Sequence, residues 1–381
     1  MESILDTNVL NNDSLNVACA AFGQGGYSMM CAVAVELGIN PENCFAINTS
    51  KADLLKASFV PQANRLLIAP EGNGAGKDRS LVFNMITQTN EDILNAINTK
   101  LDGNFNMFLT FYSADGGTGS GAGPAMTALL TGEKLKKSGI APVIGICALP
   151  DHFVGKDALK NTIENLNQTN KLLNMGAIRV MFVDNEVYSA TPDKARRWAQ
   201  INEDVARLLK RYLIQNFLSS SQNLDFSDRM KCLDQVGQHA ILKINPANGE
   251  FTSPFILPEG VNVSKLAVEI PTGHPDLIEK LKSSIGCTVS EESFSGLYDE
   301  GIEGAYPVVH FAGFYNVEKL AAVYDGWLKQ IIQKEQSQKK IDVEKGSGFK
   351  DIGKINDYIK EESSVKELNS FTDIFAALGG E

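Results

Sequence analysis

The segment 113–124 constrains the fold of this chain more than any other, because five of the eight residues at 116–123 are glycine. It follows an apolar run at 107–112 that predicts a buried strand, and it precedes an apolar run at 125–130 that predicts a helix. Ordering glycine costs more conformational entropy than ordering other residues, so an ordinary strand-to-helix turn would use fewer of them. The pattern favours a turn whose backbone N–H groups converge on an anion at a helix N-terminus.

A second strand, glycine turn and helix occur near the start of the chain. The apolar run 15–22 predicts a strand that ends in Gly23-Gln24-Gly25-Gly26, which is typical of a phosphate-binding loop. Taken alone, this motif also fits a dinucleotide-binding fold, so an NAD-dependent oxidoreductase is an alternative. That fold uses an acidic residue at the end of its second strand. The predicted second strand, 44–47, ends instead in Asn48-Thr49-Ser50, with Asp53 a few residues further on, which weakens the alternative.

The order of the predicted elements indicates the fold class. Apolar strands alternate with helices through the first half of the chain, with short connections, and a third glycine loop occurs at Gly74-Ala75-Gly76. This arrangement predicts an α/β, Rossmann-like, doubly wound and mainly parallel sheet, with the ligand crevice at the carboxyl ends of the strands. Further strands are predicted at 65–69, 141–149 and 178–183, and helices at 27–37, 90–100, from 125 to about 137, and from 151 to about 175.

Composition narrows the class of protein. The chain has 381 residues, 43% hydrophobic and 21% charged, which suggests about two domains with a sizeable core. No apolar run approaches the ~20 residues of a membrane helix, and the N-terminus lacks the basic start of a signal peptide, so we expect a cytoplasmic protein without a membrane partner. The net charge of −11 opposes direct DNA binding. The scattered cysteines and histidines predict reduced thiols and no metal site built from these residues.

A long helix is predicted in the middle of the chain. Thr191-Pro192-Asp193 supplies a threonine cap, a proline at the first position and an acidic first turn, and the helix is predicted to run to about Phe217, or ~39 Å. Trp198 and Asn202 are four residues apart and share a face. The pair could stack on a purine and bind its edge. The spacing alone favours a core tryptophan beside a polar residue.

Two acidic residues follow this helix. Asp225 and Asp228 occur with Asn223 in the sequence Asn-Leu-Asp-Phe-Ser-Asp. They suit the cap of the next helix, and they equally suit a pair of carboxylates that polarises a water or binds a cation. The residues themselves leave both alternatives open.

The second half of the chain predicts a smaller α+β domain and a tail. Strands at 240–244, 266–270 and 307–312 flank a helix near 275–284, and another helix is predicted from 317 to about 335. Near the end, four apolar residues follow the helical spacing i, i+3, i+4, i+7, which predicts an amphipathic helix that docks a partner or packs on its own body. These residues are Phe371, Ile374, Phe375 and Leu378.

The sequence Gly116-Gly117-Thr118-Gly119-Ser120-Gly121 resembles the phosphate-binding signature GGGTG(S/T)G of the tubulin/FtsZ superfamily, with Asp115 in place of the first glycine. The resemblance covers roughly residues 14–335 and implies a GTPase that binds GTP or GDP with Mg²⁺. It assigns the three glycine loops and the turn after the second strand to the phosphates, one asparagine to the sugar, and the aromatic-x-x-x-Asn pair to guanine. The residues so assigned are Gly23, Gln24, Gly25, Gly26, Asn48, Thr49, Gly74, Ala75, Gly76, Gly116, Gly117, Thr118, Gly119, Ser120, Asn185, Trp198 and Asn202.

The resemblance also assigns a catalytic loop with the pattern N-x-D-x-x-D, which Asn223, Asp225 and Asp228 match in full. The resemblance divides the chain into an N-terminal extension at 1–13, a GTP-binding domain at 14–190, a central helix at 191–218, a catalytic loop and helix at 219–237, a C-terminal activation domain at 238–337 and a tail at 338–381.

The predicted length of the central helix implies a mechanism. About 15 residues, or ~23 Å, separate Asn202 from the predicted end of the helix. A carboxylate must come within hydrogen-bonding distance of the reacting water, so Asp225 and Asp228 would serve the nucleotide of the next subunit in a head-to-tail stack. A heterologous contact of this kind generates filaments.

The first two nucleotide loops look most like those of phage and plasmid tubulins of the TubZ type, at Gly23–Gly26 and 48–54. That likeness implies a filament in a bacterial host that segregates or positions phage or plasmid DNA through a DNA-binding adaptor. The amphipathic end of the tail is the candidate contact for this adaptor. A division GTPase of the FtsZ type is the alternative. The chain departs from the FtsZ pattern at Ser28, Ser50 and Val154, where asparagine, aspartate and a ribose-binding glutamate are usual.

Overall fold

A computed structural model gives the fold over residues 15–69, 71–101, 105–131, 142–214, 224–274, 276–302 and 305–345, with side chains to residue 337. The chain divides into two compact units, Met1–Asp325 and Gly326–Glu381. Within the described ranges, no helix is both long and apolar enough to cross a lipid bilayer. The predicted N-terminal extension, Asn223 and the four apolar tail residues lie outside them.

Parallel strands form the first half of the sheet, in the order β6-β5-β4-β1-β2-β3. Runs such as Val-Ala-Cys-Ala-Ala-Phe in the first strand are buried along their whole length, as expected where helices cover both faces of a parallel sheet. The strands are β1 (Val17–Phe22), β2 (Cys44–Asn48), β3 (Arg65–Leu67), β4 (Met107–Ser113), β5 (Val143–Leu149) and β6 (Arg179–Asp184).

Helices connect these strands, and the chain reverses direction across the sheet after β3, returning to β4 on the other side of β1. This confirms the predicted α/β, doubly wound fold class. The helices are α1 (Gly23–Leu37), α2 (Lys51–Lys56), α3 (Arg79–Lys100), α4 (Gly117–Thr131) and α5 (Lys156–Asn174).

The second half of the chain extends the same sheet. A short parallel pairing of β6 with β7, at Arg179 with Gly237 and Val180 with Gln238, joins the two halves, and the order continues β7-β11-β9-β10 with β8 beside β7. The elements are α6 (Lys194–Leu213), α7 (Phe226–Leu233), β7 (Gly237–Ile244), β8 (Phe251–Thr252), β9 (Asn262–Pro271), α8 (Leu277–Ile285), β10 (Thr288–Tyr298), β11 (Val308–Phe314) and α9 (Val317–Lys345).

The glycine-rich segments are more helical than the sequence predicted. α1 begins at Gly23 and α4 at Gly117, so most of the predicted glycine turn at 113–124 is the first half of a helix. Close packing explains this. A Cβ at Gly119 would lie 2.8 Å from the carbonyl oxygen of Ser113, and one at Gly121 would lie 2.7 Å from that of Arg79. The glycines allow neighbouring backbones to pack in direct contact, and this packing outweighs the low helix propensity of glycine.

The central helix differs from its predicted bounds. The cap is Asp193 and not Thr191, because the Asp193 carboxylate accepts from the backbone N–H groups of Ala195 and Arg196 at 2.9 and 3.2 Å. The helix α6 ends at Leu213, and the predicted end at Phe217 lies outside the described residues.

Two further elements were predicted poorly. α3 begins at Arg79 and not near residue 90. The sequence did not indicate its first half, because that half buries only Val82 and Ile86 and shows little apolar periodicity. β10 was missed altogether. Its sequence, Thr-Val-Ser-Glu-Glu-Ser-Phe-Ser-Gly-Leu-Tyr, is mostly polar because the strand lies at the edge of the sheet and exposes much of its length.

A chain of buried polar side chains joins α6 to the second half of the sheet. The hydroxyl of Tyr212 lies 2.8 Å from Nδ1 of His310, whose Nε2 lies 3.0 Å from Nδ1 of His239. Nε2 of His239 lies 2.6 Å from the carbonyl oxygen of Gln235 and donates to it. Each ring then has one donor and one acceptor nitrogen, so both histidines are neutral. Burial lowers the pKa of His239 to about 3 and that of His310 well below its ordinary value.

These two histidines predict a loss of stability in mild acid. An unfolded histidine titrates near pKa ~6.5, so below that pH the unfolded chain binds protons that the folded chain excludes. The free energy of unfolding should fall by about 1.4 kcal/mol per pH unit for each histidine as the pH drops from ~6.5 towards the depressed pKa values. Urea unfolding at pH 7.5 and pH 5.5 measures the effect, with His239→Asn as the variant that lacks one titrating ring. A free energy of unfolding that stays constant over this range in the wild type would contradict the prediction.

Candidate functional site

The carboxyl ends of the parallel strands lie in register along one edge of the sheet. The strand order reverses between β1 and β4, and ligands of open α/β sheets bind in the crevice at this switch point. The loops that follow these strands therefore meet at one edge. One row of register partners across the edge is Ile47, Phe22, Tyr112, Cys147 and Phe182.

The first predicted phosphate loop lies directly against the segment between β4 and α4. A side chain at Gly23 would place its Cβ 3.2 Å from the backbone nitrogen of Gly119, and one at Gly25 would lie 3.1 Å from Oγ of Ser113. Gly23 has φ +75°, a left-handed value that glycine adopts readily. The first turns of α1 and α4 are therefore in backbone contact.

The start of α1 has the properties of an anion site. Phe22, its N-cap residue, makes no side-chain hydrogen bond to the helix. The first N–H groups of a helix have no partner within the helix, and they carry partial positive charge.

Buried hydroxyl groups link the turn after β2 to the start of α4. Oγ1 of Thr49 lies 2.8 Å from Oγ1 of Thr118, which lies 3.4 Å from Oδ1 of Asn48. The same Oδ1 accepts from the backbone N–H of Ser50 at 3.1 Å. Three residues assigned to the nucleotide thus form one hydrogen-bonded group.

The third glycine loop, Gly74–Gly76, completes the cluster. Its first residue donates from the backbone N–H to the carbonyl oxygen of Thr49 at 3.0 Å, and its two glycines have φ +83° and +55°. A Cβ at Gly117 would lie 2.9 Å from Cβ of Ala75. The structure thus brings together all three glycine loops.

Sequence reasoning missed the side chain that ties two of these loops. Nδ2 of Asn161 on α5 donates to the carbonyl oxygens of Lys77 at 2.9 Å and Asp115 at 3.3 Å. The hydroxyl of Ser120, a residue assigned to the phosphates, donates to the carbonyl oxygen of Asn161 at 3.0 Å. Nδ2 of Asn165 donates to the carbonyl oxygen of Ser120. The sequence feature that could have identified this role is the pair Asn161 and Asn165, which are four residues apart on the buried face of a helix.

Asn185 lies at the same edge, immediately after β6. Asp184 caps the short turn that contains it, accepting from the backbone N–H of Glu186 at 2.9 Å. Burial raises the pKa of the Asp184 carboxyl, and this hydrogen bond acts in the opposite direction. Glu186 in turn lies 2.7 Å from Nδ1 of His152, in the loop after β5. The turns after β5 and β6 are therefore connected.

The start of α6 is anchored at this edge as well. Arg197 is buried and pairs at 2.9 Å with Asp151, which follows β5. Its neighbour Trp198 is 47% exposed, with Nζ of Lys194 4.6 Å from the ring centroid, so the alternative of a core tryptophan is wrong. Asn202 is half-buried one turn further along.

The two aspartates lie beyond the other end of α6. Oδ1 of Asp225 accepts from the backbone N–H of Asp228 at 2.8 Å and caps α7, which confirms the capping role for Asp225. Oδ1 of Asp228 lies 3.2 Å from Nζ of Lys231. The next residue, Arg229, contacts the carbonyl oxygen of Tyr212 near the end of α6. Tyr212 and Trp198 are roughly 21 Å apart along α6 at 1.5 Å per residue.

The residues at this edge suit a nucleotide with a divalent cation. Glycines that leave room at two adjoining helix N-termini suit phosphates, and an exposed aromatic ring beside a carboxamide suits a base. Mg²⁺ prefers oxygen ligands. Asp115 and the hydroxyls of Thr49 and Thr118 supply oxygen at these loops.

Fold and site together give an open parallel sheet with glycine loops at its switch point, which is where sheets of this class bind their ligands. Residues 16–187 match the model of the Tubulin/FtsZ family, GTPase domain. This match, over a little under half of the chain, confirms the resemblance seen in the sequence.

Individual proteins agree with this assignment. Tubulin-like protein CetZ5 of Haloferax volcanii is 28% identical over 200 residues, which are 51% of this chain and 46% of CetZ5, so the match spans about half of that relative. Tail-truncated TubZ of Clostridium botulinum phage c-st superposes with a TM-score of 0.67 at 20% identity, over 84% of this chain and 98% of TubZ. TubZ of Bacillus thuringiensis serovar israelensis, in a GTPγS-form protofilament, has a TM-score of 0.65 at 15% identity, over 86% and 94% of the two chains. At these identities the two structures establish the fold.

Proposed function

We propose that this protein binds GTP at the carboxyl edge of its sheet, assembles head to tail into filaments, and hydrolyses GTP at the contact between subunits. The observation that carries the proposal is the separation of two groups along α6. Trp198 and Asn202 lie in the first half of this helix, whereas Asp225 and Asp228 lie beyond its end. The match of residues 16–187 to a GTPase-domain model disfavours the oxidoreductase alternative.

The glycine loops are the proposed phosphate site. Backbone N–H groups at the starts of α1 and α4 would bind phosphate oxygens without reorganisation, because Gly23 and Gly119 bring these two backbones into contact. Thr49 and Thr118 add hydroxyls beside them. Mg²⁺, when bound, would neutralise phosphate charge.

Guanine is the proposed base. The exposed ring of Trp198 offers a stacking surface, and the carboxamide of Asn202 offers both a donor and an acceptor for the base edge. Asn185 follows β6 at the same edge and would face the sugar.

The geometry of α6 supports catalysis between subunits. Asp225 caps α7 and Asp228 lies in its first turn. Arg229 of the same helix contacts Tyr212, which is roughly 21 Å along α6 from Trp198. A catalytic carboxylate must lie within hydrogen-bonding distance of the attacking water. These aspartates therefore suit the nucleotide of the adjacent subunit, where they would orient and polarise the water. The TubZ relative solved as a GTPγS-form protofilament lends support to a head-to-tail assembly.

Segregation of phage or plasmid DNA is the proposed role of the filament. It is supported by the likeness of Gly23–Gly26 and 48–54 to TubZ loops, and by a fold shared with TubZ of phage c-st. The net charge of −11 disfavours direct contact with DNA, so an adaptor protein is the proposed link.

The stacking role of Trp198 predicts a specific loss of affinity. Removal of a base-stacking aromatic ring costs about 1–3 kcal/mol, so Trp198→Ala should bind GTP roughly 5- to 150-fold more weakly. Trp198→Phe keeps an aromatic face and should lose much less. Calorimetric titration with GTP measures both variants. Unchanged GTP affinity in Trp198→Ala would remove this residue from the site.

The aspartate assignment predicts filaments that assemble but do not turn over. Asp228→Ala should bind GTP normally and form long-lived filaments, while its GTPase rate falls ~10²–10⁴-fold, the usual cost of losing a general base. Phosphate release and electron microscopy with GTP provide the two measurements.

Dilution of the wild type supplies the matching control. Turnover per subunit should fall steeply below the assembly concentration, since an isolated subunit lacks the neighbouring aspartates. Full turnover in dilute monomers, or in Asp228→Ala, would contradict catalysis between subunits.

The proposed adaptor predicts a partner specific to the tail. Replacing Phe371, Ile374, Phe375 and Leu378 by serine should leave filament formation intact and abolish recovery of a DNA-binding protein from cells that carry the parent phage or plasmid. Affinity purification of both full-length forms, followed by mass spectrometry, tests this. Equal recovery by the two forms, or direct binding of DNA by purified filaments, would count against an adaptor on the tail.

A further inference from the structure

A buried guanidinium holds the segment that carries the two aspartates. Arg229 directly follows Asp228 and is 4% exposed. Its Nε donates to the carbonyl oxygen of Leu224 at 3.3 Å, its Nη1 contacts the carbonyl oxygen of Tyr212, and its Nη2 lies 3.0 Å from Oε2 of Glu269. One side chain thus connects the residue before Asp225, the end of α6 and strand β9.

The carboxylate that receives Arg229 is shared with a second arginine. Arg211, near the end of α6, is fully buried, and its Nη1 lies 2.8 Å from the same Oε2 of Glu269. Its Nε donates to the carbonyl oxygen of Tyr306 at 3.2 Å. Burying charge is costly, and apolar residues of equal volume often give a protein that is at least as stable. The stability of the fold alone therefore does not account for this cluster.

A glycine on the neighbouring strand brings the backbone of the aspartate segment into contact with the sheet. Gly296 of β10 is the register partner of Glu269 on β9. A Cβ at Gly296 would lie 2.5 Å from the backbone nitrogen of Leu224 and 2.8 Å from its Cβ. Any side chain at this position would push Leu224, and with it Asp225, away from the strand.

We propose that Arg229, Glu269 and Gly296 are positioning residues for Asp225 and Asp228. They fix the position of the start of α7 relative to strands β9 and β10. The two carboxylates are thereby held in the orientation in which they would reach a nucleotide bound by the adjacent subunit. This inference rests on the proposed function. Catalytic groups displaced by about 1 Å lose rate by up to ~10²-fold, so the arrangement affects turnover far more than nucleotide binding.

Two variants on different elements test the inference. Arg229→Met retains the side-chain length without the hydrogen bonds, and Gly296→Ala adds the obstructing Cβ. Each should lower the maximal GTPase rate of assembled filaments by ~10–100-fold, while GTP affinity stays within about 2-fold of wild type. Lys280→Met on α8 and Gly326→Ala on α9 are matched controls, because the first breaks an exposed ion pair and the second adds a Cβ to open space.

A double-mutant cycle separates positioning from a general structural role. In a background that lacks both carboxylates, Asp225→Ala with Asp228→Ala, Arg229→Met should cause little further loss of turnover, because the aspartates through which Arg229 would act are already absent. A merely structural role would lower the rate by the same factor in both backgrounds. If Arg229→Met fails to bind GTP at all, Gly296→Ala and its combination with the same two alanine substitutions decide the matter.

Three outcomes would overturn the inference. These are full turnover in both single variants, a parallel loss of GTP affinity in Gly296→Ala, and independent losses in the cycle. The failure of the proposed function looks different: Asp228→Ala itself would then keep full turnover. The two failures are therefore distinguishable within one set of measurements.

Discussion

The close approach of β1 and β4 at their carboxyl ends is the constraint on which the rest of the structure depends. A Cβ at Gly119 would come within 2.8 Å of the Ser113 carbonyl oxygen and 3.1 Å of that of Phe22, so no other residue fits between the two strand ends. This contact sets the two helix N-termini side by side and forms the proposed phosphate site. The hydroxyl pair of Thr49 and Thr118 and the amide of Asn161 then hold the remaining loops against it.

The rigidity of α6 follows from ionic contacts near both of its ends. At the start, Arg197 is paired with Asp151 beside the sheet edge. Near the end, Arg211 is paired with Glu269 on β9. Both pairs are buried, and removing one partner of such a pair is strongly destabilising, by about 3–5 kcal/mol. The helix is thus a spacer whose two ends are each fixed to a different half of the sheet.

The sequence predicted the fold class and the positions of the glycine loops, because strand burial and glycine content are local signals. It failed where tertiary contacts override local propensity. Helix α4 begins within the glycine segment because Gly119 and Gly121 must touch neighbouring backbones, which no propensity scale includes.

Several site features likewise depend on neighbours that the sequence does not reveal. Asn161 and Arg229 are polar residues on helices and resemble solvent-facing positions until their partners are known. The exposure of Trp198 could not be predicted either, because the spacing of residues along a helix does not tell which face packs against the core. The roles of the nucleotide and aspartate residues remain predictions.

The seam between the two halves of the sheet has a mechanical consequence. β6 and β7 pair only over Arg179–Val180 and Gly237–Gln238, whereas β7 and β11 pair along most of their length. Outside this short pairing, the two halves are also joined by the isolated bridge between Val183 and Phe255 and by the ion pairs of α6. Rotation of one half against the other would therefore disturb few strand hydrogen bonds, but it would strain the buried ion pairs that hold α6 to both halves.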